Sequence, residues 1–329
     1  MRCRVSRREV IRAFGVGVAA SAFPAAARGQ APGPVYGYPM GIPGQPLGDG
    51  LFVRVAYAAE NARYYPGWWH TGENWHRLEG ETAGLGVYAV ADGEVVFAGA
   101  EYPGRVVIVA HPDGLYAMYG HLDDALAVEP GQPVTRSDVL GTVLARDDDY
   151  WRSHLHFELR TFFTKPEING SAPQYGVSCG FECPPGPGYW PMTAPDHPSQ
   201  LGWRNPTHVI NRRAWPEGIP ASAEVTVATT APERTPLWSA PSQSSGAAPL
   251  GELALTPGDR FPLLAIDAGD EASTATSAEA THLWYRIALS DVTTGWVQAA
   301  VPLALDSGAD GRPSSLRFDF LPVVVTPGR

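Results

Sequence analysis

The chain has 329 residues, enough for about two domains. Its 44% hydrophobic and 18% charged residues make a globular composition with material for a core. A net charge of −10 gives no electrostatic footprint for nucleic acid, which excludes that partner class.

Arg2, Arg4, Arg7, Arg8 and Arg12 form a basic head, followed by an apolar stretch from Ala13 to Phe23 and the small residues Ala25-Ala26-Ala27. This is the layout of an export signal over residues 1–27. The run Ser6-Arg7-Arg8-Glu9-Val10-Ile11-Arg12 is the pattern of a twin-arginine signal, an address read by a receptor for folded cargo. The apolar stretch is too short for a membrane span, so an exported chain without a stable membrane anchor is expected. Cleavage would remove five arginines and one glutamate and leave a still more acidic protein.

Residues 28–50 are rich in Gly and Pro and read as a linker, or as an arm laid over the domain that follows. That domain is expected over 51–216. Val87-Tyr88-Ala89-Val90, Val95-Val96-Phe97, Val106-Val107-Ile108-Val109 and Leu115-Tyr116-Ala117-Met118-Tyr119 are β-branched or aromatic runs separated by Asp92-Gly93 and Pro112-Asp113-Gly114. Asp-Gly between such runs predicts hairpins and an antiparallel sheet. Glycine and proline are abundant, at 36 and 32 residues, and no long amphipathic helix stands out. An insertion at 164–205 is Pro-rich and aromatic, and reads either as a groove border or as a decoration. It holds Cys179 and Cys183. In an oxidising exported setting these form a small local disulfide, since two thiols without nearby histidines make a poor metal site.

The chemistry lies in four histidines. His154 and His156 stand at i, i+2, so a strand sends both to one face. Two imidazoles side by side suit one metal ligand and one acid–base group. His70 precedes Gly72, where a tight turn would let the side chain at 74 return to the same metal. His121 sits in Tyr119-Gly120-His121-Leu122. His111 reads as a surface turn residue, and His197, His208 and His282 have bland roles. Arg105 and Tyr119 face the groove or are structural.

These phrases, in this order and in their contexts Ala91-Asp92-Gly93-Glu94-Val95, His111 to Leu122 and His154 to Arg160, resemble the lysostaphin and LytM-type zinc endopeptidases. The resemblance covers about His70 to Arg160. It implies a mainly β, antiparallel peptidase domain and one zinc ion held by His70, Asn74 and His156. His121 and His154 would be the catalytic imidazoles. It also implies cleavage of peptide bonds in peptidoglycan by a protein of the periplasm or cell surface, associated with the cell wall. The departure is Asn74, where the family carries an aspartate, so a neutral amide oxygen replaces a charge. Three readings stay open: an active enzyme with an amide ligand, a metal-binding protein of weak activity, and a non-catalytic protein that binds wall or regulates a hydrolase.

A second β pattern opens at Glu224-Val225-Thr226-Val227 and ends in Leu283-Trp284-Tyr285-Arg286-Ile287 and Gly295-Trp296-Val297. It resembles a bacterial SH3-like barrel over 222–306, with 307–329 as a last strand or tail. The resemblance implies wall binding, for which Trp238, Trp284, Tyr285 and Trp296 are candidate groove aromatics. Aromatics in a small barrel are more often its core.

Overall fold

The phrase Leu155-His-Phe-Glu-Leu-Arg160 alternates apolar and polar side chains, and it folds as a strand buried along its whole length. Leu155, Phe157 and Leu159 enter the main hydrophobic core. Strand alternation sends His156, Glu158 and Arg160 to the opposite face. This strand lies near the middle of an antiparallel sheet. On one side follow Tyr116–Leu122, Gly104–Ala110, Gly93–Tyr102 and Pro133–Val134; on the other, Glu73–Arg77, Leu51–Val55, Pro313–Phe318 and Ala300–Ser307. Trp203–Arg204 adds a short pairing to the central strand. The computed structural model describes residues 33–102, 104–146, 152–176, 179–241, 246–274, 277–290, 292–307 and 313–324. The expected export signal at 1–27 lies outside them.

The mainly β, antiparallel architecture is as the sequence leads one to expect. Within it, Pro112-Asp113-Gly114 does make a hairpin, with Gly114 at a φ of 84°. Asp92-Gly93 does not. Gly86–Tyr88 pairs with Met40–Gly41 and Val139–Thr142 in a separate three-stranded sheet, whereas Gly93 opens a strand of the large sheet. Gly93 is needed for close approach rather than for a turn: a Cβ there would meet the carbonyl oxygen of Ala110 at 2.4 Å.

The Gly- and Pro-rich stretch before residue 51 is built into the fold. Tyr36, Tyr38 and Met40 are buried in the main core, and Tyr38 packs edge-on against Trp75 and Phe318. The 164–205 insertion has a core of its own, in which Phe162, Ile168, Trp190, Leu201 and Trp203 pack with Tyr57 and Ala58. Cys179 and Cys183 form a disulfide within it.

A seven-stranded sheet contains Glu224–Val227, Arg234–Trp238, Pro249–Ala254, Arg260–Ala268, Leu283–Ser290, Thr293–Gln298 and Phe320–Val323. It is stitched to the large sheet twice. The chain leaves it after Gln298, supplies Ala300–Ser307 and Pro313–Phe318 to the large sheet, and returns as Phe320–Val323. One continuous hydrophobic core runs through both, from Trp75 and Phe157 to Val225, Tyr285 and Phe320. The short helix Pro206–Arg212 lies at the junction, where the Tyr285 hydroxyl donates to Asn211. Trp284 and Tyr285 are therefore core residues, while Trp238 and Trp296 are half-buried cross-strand partners.

Phe318 stacks on Trp75 with ring centres 5.2 Å apart. Phe318→Ala is expected to cost about 3–5 kcal/mol, the usual range for a buried Phe reduced to Ala, measured by chemical denaturation. His208 supplies a pH-dependent term. Its Nδ1–H donates to the carbonyl of Asp270, and burial holds the ring down to about 4, against 6.5 for the free side chain. The unfolded chain thus binds the proton first, so stability is present above about pH 6.5 and is lost as pH falls through 4. At about 1.4 kcal/mol per pH unit the full effect approaches ~3 kcal/mol. His208→Gln is expected to flatten the acid limb of a stability–pH curve.

Candidate functional site

Register brings the candidate residues together. His156 pairs with Asn74 on one neighbouring strand and with Gly120, next to His121, on the other. His70 ends the strand Tyr65–His70, which turns back through Gly72 into Glu73–Arg77. A Cβ at Gly72 would sit 2.3 Å from the carbonyl oxygen of Phe157, so glycine is what lets this turn press against the central strand. His121 has a φ of 61°, a left-handed conformation that a non-glycine residue rarely holds outside constrained sites.

The donor atoms converge. His70 Nε2 lies 3.0 Å from His156 Nδ1, which in turn lies 3.1 Å from Asn74 Oδ1. The outer edges of both rings are fixed. His70 Nδ1 faces the carbonyl of Val55 at 3.1 Å and must donate to it. His156 Nε2 faces a carboxylate oxygen of Glu158 at 3.1 Å. Burial alone would raise the Glu158 carboxyl. The His156 hydrogen bond, the Arg160 guanidinium and the Thr71 hydroxyl, at 2.6 Å, outweigh it and hold the group below its ordinary value. Glu158 is thus an acceptor, and His156 Nε2–H donates to it. Burial, followed by repulsion from His156, drives His70 well below its ordinary pKa. With both rings neutral and their outer nitrogens donating, the two inner nitrogens and the amide oxygen would present three acceptors to one point. Three acceptors around one point form the donor set of a cation.

His154 and His121 stand beside this set. Their ring centres are 4.7 Å apart, and His121 is 6.2 Å from His156. His154 donates through Nδ1 to the carbonyl of Arg152 at 2.7 Å, which leaves Nε2 as its proton-accepting atom. Burial, then the neighbouring His121 and His76, keeps it neutral. All five named residues are thus in one place. Around them a cavity of about 500 Å³ is lined by His76, His121, His154, His156 and Asn74, with Arg54, Arg146, Arg152, Asn61, Tyr64, Tyr65 and Tyr189 among the others.

Further residues surround these five. His76 shares the Asn74 face of its strand and stacks on His154 at 5.1 Å. Glu73 takes the opposite face, where it accepts from Thr207 and from the Trp75 indole, so it offers nothing to the cation position. Glu158 also accepts from the Trp203 indole at 2.9 Å; its alternation with His156 was the available signal. Tyr189 comes from the insertion, where the strand Tyr189–Pro191 pairs Tyr189 opposite His70. Its hydroxyl accepts from Asn61 Nδ2 at 2.9 Å and is also within reach of Asn74. Nothing short of the fold places it there. Arg105 instead pairs with Asp124, and Tyr119 is buried, accepting from the Val90 amide. His111 is buried against Asp92 and Tyr36 rather than exposed. Its neighbour Pro112 starts the hairpin turn, but the ring folds inward.

Among the described residues no group of three His, Cys, Asp or Glu side chains is placed to hold a metal ion. The convergent set above is two imidazoles and one amide.

Residues 70–171 match Peptidase family M23. Similar solved structures include LytM of Ruminococcus gnavus, at 23% identity, covering 39% of this chain and 54% of that one with a TM-score of 0.31. Lysostaphin is similar at 12% identity over 81% of this chain and 92% of its own, with a TM-score of 0.31. The catalytic domain of EnpA, a prophage-encoded M23 protein of Enterococcus faecalis, is similar at 24% identity over 38% and 86%, with a TM-score of 0.29. The chain thus spans about half the length of the first of these. No curated protein matches it. Over residues 70–171 the chain is thus similar to Peptidase family M23.

Tyr189→Phe removes the acceptor of the Asn61 amide and a partner of Asn74. A loss of about 1 kcal/mol in unfolding free energy is expected, read by denaturant titration.

Proposed function

We propose that the protein is an exported, zinc-dependent endopeptidase that cuts peptide bonds in peptidoglycan. The observation that carries this reading is the convergence of His70 Nε2, His156 Nδ1 and Asn74 Oδ1, each ring hydrogen-bonded from behind through its other nitrogen. Borderline-soft nitrogen donors with one oxygen suit zinc, and three protein ligands leave a position open. A zinc ion bound there would polarise the scissile carbonyl and acidify a water. His154 Nε2 can take up a proton, since its other nitrogen is committed to Arg152. His121, beside it, is placed to donate to an oxyanion or pass the proton on. Tyr189 borders the His70 side of the cavity and helps to shape it.

The twin-arginine pattern at the N-terminus supports export, and among the described residues no helix is long and apolar enough to cross a membrane. The 224–298 strands supply an SH3-like, wall-targeting module in this reading, with Trp238 and Trp296 as its half-exposed aromatics.

One observation favours a second reading, a weak or inactive peptidase-fold protein that binds wall or regulates a hydrolase. With Asn74 in place of an aspartate, no anionic ligand balances the charge of a divalent ion. The two are separated by digesting purified peptidoglycan with and without zinc or chelator, read by mass spectrometry. Zinc-dependent new amino termini establish the hydrolase, and intact muropeptides under every condition establish the second reading. Among variants, His156→Ala is expected to lose zinc and hydrolysis together. His121→Ala is expected to keep zinc but lose about 10²–10⁴-fold in kcat, the usual worth of a proton-transfer group. Asn74→Asp is expected to raise zinc affinity, measured by competition with a chromophoric chelator; unchanged affinity would remove Asn74 from the ligand set.

A further inference from the structure

The cavity wall has an unusual charge. Although the chain carries 34 acidic against 24 basic residues, the described residues lining this cavity include three arginines and no Asp or Glu. Glu73 and Glu158, which neighbour Asn74 and His156 in sequence, are both turned away and occupied behind the wall; Asp147, Asp148 and Asp149, between Arg146 and Arg152, lie outside the described residues. Arg54 and Arg152 form no ion pair with any described carboxylate. Arg54 lies on the strand paired with that of His76, and the Arg152 carbonyl accepts from His154 Nδ1. His76 stacks on His154, and both arginines line the cavity together with these two histidines. Tyr189 lies against His70. The described wall thus combines guanidiniums with aromatic hydroxyls.

A guanidinium facing a cavity without a carboxylate partner is suited to bind an anionic ligand, and its planar fork matches a carboxylate. We propose that Arg54 and Arg152 form a specificity subsite for a substrate carboxylate. The site would then take peptides bearing a free carboxylate close to the scissile bond, rather than neutral peptide bridges. This rests on the hydrolase reading above and specifies its substrate class. Arg54 and Arg152 would act on the ground state and transition state by anchoring the peptide, so they are specificity-determining rather than catalytic.

The test uses matched pairs of synthetic cross-linked stem peptides, identical except that the carboxylates flanking the scissile bond are free in one and carboxamides in the other. Zinc-loaded parent, Arg54→Gln, Arg152→Gln and the double variant are compared by kcat/KM and, independently, by calorimetric titration of each peptide onto the metal-free proteins. The parent is expected to favour the acid form about 10- to 100-fold, the usual worth of a charge-assisted contact. The double variant is expected to bring that ratio close to one, and Arg152→Lys to keep part of it. A parent ratio near one, or a ratio unchanged in the double variant, overturns the subsite. If neither peptide is cut, the hydrolase reading fails, and the titrations still decide the subsite by the same ratio. Tighter, equally arginine-dependent binding of a phosphate-bearing wall polymer would assign the arginines to that anion and overturn the peptide assignment.

Discussion

A single buried carboxylate organises the site. Glu158 accepts from His156 and Arg160 on its own strand, from Thr71 in the turn after His70, and from the Trp203 indole. Removing a charge from water is costly, and only dense hydrogen bonding with a counter-ion offsets it. The same bonds that satisfy Glu158 set the tautomer of His156 and tie down the turn after His70. Arg160, fully buried beside it, donates onward to the carbonyls of Pro184 and Pro185, so the ion pair reaches into the insertion. The insertion then delivers Tyr189 to the cavity. Ligand geometry and groove wall thus depend on one buried pair.

The surrounding fold explains how a polar network of this size is tolerated. Along the central strand, Leu155, Phe157 and Leu159 pack into the main core while the alternate residues carry the chemistry. The neighbouring strand repeats the division: Trp75 is core, with Glu73 on its side, and Asn74 with His76 is site. Two strands from the C-terminal part complete the sheet edge beyond Leu51–Val55 and bring Phe318 onto Trp75. The face opposite the histidines is therefore sealed by residues more than two hundred positions away in sequence.

The parts legible in sequence were those set by local periodicity and short spacing. The i, i+2 histidines, the return of position 74 through Gly72, the Pro112-Asp113-Gly114 hairpin and the Cys179–Cys183 pair all depend on residues close in the chain. What was not legible depends on sheet order. The Asp92-Gly93 pair carries the signal of a turn, yet its glycine answers to the carbonyl of Ala110 on another strand. The Gly- and Pro-rich stretch before residue 51 has the composition of a linker, but Tyr36, Tyr38 and Met40 find a core to enter. A boundary placed near residue 306 cuts between strands that the register assigns to the large sheet. Likewise, no local pattern connects Tyr189 to His70 or Arg54 to Arg152.

The amide at position 74 and the arginines are best understood together. Among the described residues the wall holds imidazoles, guanidiniums and neutral amides, and an aspartate ligand would add a negative charge to it. Without it, no described carboxylate on the wall would offset a bound divalent ion, and low-dielectric walls would carry that positive charge to an entering ligand. A neutral substrate gains little from such a field. An anionic one gains at the arginines and at the ion alike, so the charge missing from the protein would be supplied by the substrate. On that account Asn74 is compatible with metal-dependent chemistry because the counter-charge arrives with the peptide, and the cost falls on affinity for the ion in the free protein.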